Sequence, residues 1–175
     1  SMYLISIYFD EATNRIIRGY MHQVAKASGN HYMLEGNVPP HITLSSFDIP
    51  NEQDILPLLE HRMPQMGQGT LQWVSVGQFL PYVLFLSPVL NEYLHNMCLD
   101  VYNTIKDVDN IHISRSYRPF QWMPHTTIGK KLSMEEMQTG FAVMQKEFSM
   151  FSGRVVRIGL AKTNPYRDIA SWELK

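Results

Sequence analysis

Pro40-His41-Ile42-Thr43-Leu44 is the stretch on which the reading of the chain turns, because it returns as Pro124-His125-Thr126-Thr127-Ile128. Both segments read Pro-His-any-Thr-aliphatic, and their histidines stand 84 residues apart in a chain of 175. On a strand, residues i and i+2 point to the same face, so each segment offers an imidazole and a hydroxyl side by side. One match of this length is weak as a motif. Two matches at half-chain spacing imply two similar lobes, each contributing one segment to a shared cleft.

The residues around the motifs supply the elements to build those lobes. Tyr3 to Phe9 is rich in β-branched and aromatic residues and predicts a buried first strand. Ile16, Ile17, Tyr20, Met21 and Val24 recur at helical spacing from about Thr13, and Gly29-Asn30 ends that helix. Val38 to Ser46 is the strand of the first motif, entered through Pro39-Pro40, where a missing N–H can face an unpaired side. A short helix follows over Asn51 to His61, regular from near Asp54 because of Pro57. After a turn at Gly67 to Gly69, Thr70 to Phe79 and Tyr82 to Ser87 form a hairpin across Leu80-Pro81.

The second half opens with a helix from about Pro88 to Lys106, whose Leu94, Cys98, Val101 and Ile105 share one face. Cys98 on that stripe reads as a packed core thiol. Asp107 to Phe120 is irregular, and Trp122 to Lys130 is the strand of the second motif. Ser133-Met134-Glu135-Glu136 is a capping box, followed by a core stripe of Met134, Met137, Phe141, Met144 and Phe148. Strands over Gly153 to Lys162 and Ile169 to Leu174 complete the chain. Strands and helices mix without regular alternation, which predicts an α+β fold with antiparallel sheets and helices on the outside.

Composition narrows the function. Hydrophobic residues are 45% and charged residues 18% of the chain, a globular balance with enough apolar material for a sizeable core. A formal net charge of −1 does not suit a protein that grips long nucleic acid, so a nucleic-acid substrate would be short, terminal or single-stranded. One cysteine excludes an internal disulfide framework and fits a reducing cytoplasm. Met2 to Phe9 is too short for a signal peptide or a membrane span and lacks a basic lead-in, while Ser1 before Met2 reads as a tag-cleavage remnant.

Two histidines facing one phosphate can divide the work, one taking a proton from the attacking water and the other giving one to the departing oxygen. The hydroxyls of Thr43 and Thr127 can donate to non-bridging phosphate oxygens, where charge develops. Such a set needs neither metal nor cofactor. Metal chemistry lacks support, since no His-Glu-x-x-His, Cys-x-x-Cys or acidic cluster accompanies the histidines. A serine hydrolase would need a Gly-x-Ser-x-Gly elbow, which is absent.

The remaining histidines, His22, His31, His61 and His95, read as ordinary core or surface residues. His112-Ile113-Ser114 repeats His-x-Ser but lacks the proline and runs into Arg115. Tyr8, Phe47, Tyr82, Tyr117, Phe120 and Trp122 are aromatics that can stack a base or simply fill the core. Arg115 and Arg118 read either as phosphate contacts at the mouth of the cleft or as solvated loop charges.

At His41 with Thr43 and His125 with Thr127, the chain resembles the two-histidine phosphoesterase superfamily, which includes RNA 2′–5′ ligase-like proteins and cyclic nucleotide phosphodiesterases. The family's first motif usually continues Thr-Leu-x-aromatic; here one extra residue in Ser45-Ser46 delays the aromatic to Phe47. Its second motif often carries a basic residue five places after the histidine, where Lys130 stands. The resemblance implies a bilobal fold of two pseudo-symmetric antiparallel sheets around a central groove, with lobes of approximately 2–87 and 88–175 and possible strand exchange between them. It also implies a metal-independent phosphodiesterase acting on 2′,3′-cyclic phosphates or 2′–5′ linkages, with His41 and His125 catalytic. Thr43 and Thr127 would hold the phosphate, and Lys130, Phe47, Arg115, Arg118 and Tyr117 are candidate substrate contacts. The expected partner is a short RNA end or small nucleotide, met by a cytoplasmic monomer without membrane contact. The competing reading is a module that binds nucleotides or RNA ends in the same groove without turnover.

Overall fold

The computed structural model describes residues 2–175; Ser1 lies outside them. Its strands are β1 (Met2–Phe9), β2 (His41–Asp48), β3 (Gly69–Phe79), β4 (Val83–Pro88), β5 (His112–Ile113), β6 (Thr126–Gly129), β7 (Phe151–Lys162) and β8 (Arg167–Glu173). Its α-helices are α1 (Glu11–Ser28), α2 (Tyr32–Glu35), α3 (Leu56–Arg62), α4 (Glu92–Ile105) and α5 (Met134–Glu147). All strand pairings among the described residues are antiparallel.

In place of two separate sheets, the strands are hydrogen-bonded into one, in the order β5-β2-β1-β7-β3-β4-β6, with β8 also on β7. The long β7 makes the join. Its first residues pair with β3, and its remainder lies between β1 and β8, with Val155 paired to both Phe9 and Gly69. Segments from the two halves of the chain therefore interleave. The helices do so as well: α1, from the first half, packs on β6, while α4, from the second, packs on β2. Although far apart in the sheet order, β2 and β6 come into contact, so the sheet curls until the two motif strands meet.

Local signals explain the helix ends. Asp10 caps α1, accepting from the Thr13 N–H at 3.0 Å and from the Thr13 hydroxyl, and Gly29 closes it at φ 78°. Pro88 ends β4 instead of opening a helix; α4 waits for Asn91, whose side chain accepts from the Leu94 N–H. Ser133 and Glu136 form the expected capping box, but Met134 at the first helical position is 76% exposed and leaves the core stripe. The core runs through Trp73, Phe47, Ile5, Ile7 and Leu44, with Cys98 packed beneath β2 and its thiol pushed up to about 11 by burial.

Candidate active site

A bulge shapes the first motif strand. Along β2, Ser45 lies opposite Ile5 and Thr43 opposite Ser6, so one step on β1 spans two residues on β2. The extra residue after Thr43-Leu44 is absorbed there. Before the bulge, His41 pairs with Tyr8 and Thr43 with Ser6, all on one face; after it, Phe47 pairs with Tyr3. The face has inverted between the two stretches. Phe47 is consequently fully buried, stacked on Tyr3 at 5.8 Å, which corrects its expected role as a substrate contact.

The two histidines are hung in the same way. His41 Nδ1 lies 2.8 Å from the Pro39 carbonyl and His125 Nδ1 lies 3.0 Å from the Met123 carbonyl, in each case two residues upstream across the proline. A carbonyl can only accept, so both Nδ1 atoms carry the hydrogen and both Nε2 atoms are left to take or give a proton. Both rings are half-buried. Burial lowers His41 below the ordinary 6.5; the Pro39 carbonyl pulls it back, while the charges of His125 and Lys130 add to the lowering. Burial likewise lowers His125, opposed by the Met123 carbonyl.

Their surroundings differ. His125 makes T-shaped contacts with Phe79 and Phe85, whose ring centroids lie 4.7 Å and 5.6 Å from its own. The outer end of the Phe85 ring covers Gly77, where a Cβ would stand 2.4 Å from its Cζ. The bare backbone at Gly77 therefore admits the aromatic wall that seats His125. His41 instead stands beside Tyr8, with centroids 6.3 Å apart.

His41, Thr127 and Lys130 line a cavity of about 440 Å³, walled by Tyr32 and Met33 of α2 and by Pro165 and Tyr166 of the β7–β8 turn. His125 lines another of about 380 Å³ with Phe79, Ser116, Tyr117 and Gln121. Thr43 sits deeper, 8% exposed, its hydroxyl 3.3 Å from that of Ser6. Trp122 ties the motifs together: its buried indole N–H donates to the Thr43 carbonyl at 3.1 Å.

Of the other expected contacts, Lys130 and Tyr117 line these cavities, whereas Arg115 and Arg118 line neither and are exposed. The Arg118 guanidinium donates at 3.5 Å to the Ile113 carbonyl. Tyr82 and Phe120 are exposed outside both cavities. His112 is on the two-residue edge strand β5, paired with Asp48 at the far end of β2 from His41. Sequence reasoning missed α2 and Tyr166. The Asn164-Pro165 dipeptide signals a turn, but nothing in it points towards a cleft.

Among the described residues, no three His, Cys, Asp or Glu side chains gather as a metal-ligand set. No helix among them is long and apolar enough to cross a membrane. A family model for the 2′-5′ RNA ligase superfamily matches residues 17–167. Three solved structures are similar over 99% of this chain and 97% of theirs. TT0787 of Thermus thermophilus has a TM-score of 0.66 at 14% identity. E. coli LigT complexed with 3′-AMP has 0.63 at 16%, and a phosphoesterase crystal structure has 0.59 at 16%. At these identities the likeness is one of fold. No curated protein matches the sequence.

Proposed function

This chain belongs to the 2′-5′ RNA ligase superfamily, and from that premise we propose that it is a metal-independent phosphodiesterase acting on 2′,3′-cyclic phosphates or 2′–5′ linkages. The observation that carries the reading is the matched pair of Nδ1-to-carbonyl tethers, which leaves two histidine Nε2 atoms for proton transfer. In the reaction, one Nε2 takes a proton from water as its oxygen attacks phosphorus. The other gives a proton to the ribose oxygen as its bond to phosphorus breaks. Thr127, with Lys130 beside it, faces the same cavity as His41 and can stabilise the charge that develops on the non-bridging oxygens. LigT has been crystallised with 3′-AMP, a ligand with a phosphate on the ribose, in keeping with a nucleotide as substrate.

The test is a panel of 2′,3′-cyclic nucleotides and 2′–5′ dinucleotides assayed in EDTA. Turnover should persist under chelation, because the working charges come from side chains. Activity lost to EDTA and restored by zinc or manganese would replace this chemistry with a metal-assisted one. Tight binding without turnover between pH 5 and 9 would make the protein a binding module.

The pH profile carries a sign. Productive enzyme holds one proton between the two histidines, so the rate is bell-shaped and its limbs are macroscopic constants of the pair. Both groups are lowered from 6.5 in the free protein, so both limbs of kcat/KM should lie below that value. A bound anionic phosphate favours the imidazolium, so the kcat profile should shift towards higher pH. A kcat/KM profile whose alkaline limb sits above about 7 would contradict this ordering.

A further inference from the structure

We infer that Arg157 forms a second anion subsite beside His41, one that receives a phosphate flanking the scissile one in the substrate; this rests on the phosphodiesterase reading. The strand register puts His41, Tyr8 and Arg157 in one row across β2, β1 and β7, on the same face of the sheet. Two strand spacings separate the ends of that row, about 10 Å. The Arg157 guanidinium lies over the Tyr8 ring at 4.9 Å, the same ring that stands beside His41. A cavity of about 270 Å³ opens there, bounded by Tyr8, Pro39, Arg157, Gly159 and Asp168. Gly159 leaves the floor bare; a Cβ on it would come within 3.1 Å of the Tyr8 ring. Pro39 is also the residue whose carbonyl holds His41, so this cavity abuts the catalytic histidine on its Tyr8 side.

Arg157 is partly buried, and among the described residues it makes no ion pair. Two carboxylates come near from β8. Asp168 accepts from the Tyr166 hydroxyl at 2.6 Å, and Glu173 lies across from Arg157 in register, but neither pairs with the guanidinium. A half-desolvated guanidinium with its donors uncommitted, aimed into a cavity, suits a planar or tetrahedral oxyanion. A mononucleoside cyclic phosphate has no group to place there. An oligonucleotide end has one, the phosphodiester next to its terminal cyclic phosphate.

The test compares wild type, Arg157→Ala and Arg157→Gln by two readouts. The first is binding of adenosine 3′,5′-bisphosphate against adenosine 3′-monophosphate. The second is kcat/KM for a dinucleotide ending in a 2′,3′-cyclic phosphate against the mononucleoside cyclic phosphate. Wild type should favour the member of each pair that carries two phosphates by about tenfold or more, and both variants should lose most of that preference. The salt slope for the longer ligand should fall by about one in both variants. Equal binding of the two adenosine phosphates by wild type would overturn the subsite. So would variants that weaken both members of each pair alike, because the arginine would then act only by supporting Tyr8. If discrimination in binding depends on Arg157 while no cyclic phosphate is opened, the subsite stands and the enzyme reading falls. Turnover of both cyclic phosphates with no preference leaves the enzyme reading and removes the subsite.

Discussion

Alanine in place of His41 should lower kcat/KM towards a 2′,3′-cyclic phosphate by roughly 10²–10⁴-fold, and alanine in place of His125 by a similar factor. Each change removes one of the two Nε2 atoms that the carbonyl tethers leave open. The double variant should lose less than the product of the single losses, since a base without its acid partner retains little to contribute. Ligand affinity should fall far less than rate, because Thr127 and Lys130 still line the cavity proposed to hold the phosphate. Thr127→Val is expected to be milder than either histidine change. Steady-state kinetics on purified variants, with binding of adenosine 3′-monophosphate measured alongside, decides the matter. A variant lacking either histidine that keeps more than about a tenth of the wild-type kcat would exclude that residue from proton transfer.

Trp122→Ala should cost about 3–5 kcal/mol of stability, the range for emptying a buried aromatic site. The indole is 8% exposed and its N–H reaches the Thr43 carbonyl across the meeting of β2 with the segment leading into β6. Trp122→Phe keeps most of the volume but withdraws the donor, with an expected cost of about 1–3 kcal/mol for a buried carbonyl left short of its partner. Urea denaturation should show the midpoint falling in that order with little change in slope. Both variants should also lose activity while still folded, because the indole couples the two motif segments. Full activity in folded Trp122→Phe would show that the hydrogen bond is not needed to align them.

Much of the fold was legible because its signals were local. Ser133 and Gly29 mark helix ends with a side chain or backbone freedom that acts within a turn. The motif pair was legible because spacing repeats. Phe47 was not, for a reason visible in β2: a period-two reading assumes an unbroken pleat, and the bulge reverses which face later residues occupy. The irregular stretch before the second motif hid the two-residue β5, which is held by pairing to β2 and not by its own composition. Arg157 carries no signal in the sequence at all. Its neighbours Tyr8 and His41 come from strands more than a hundred residues away, and only the sheet register brings the three together.

The tethers of the two imidazoles also bear on how the chemistry can be damaged. A histidine aligned by a carboxylate depends on a third residue whose replacement misorients the ring. Here the aligning groups are main-chain oxygens of Pro39 and Met123, present whatever side chain occupies those positions. No single substitution deletes them. The tautomer of each histidine is set by the backbone, so on the proposed reading a mutation would stop proton transfer by replacing a histidine or by distorting the chain that carries it.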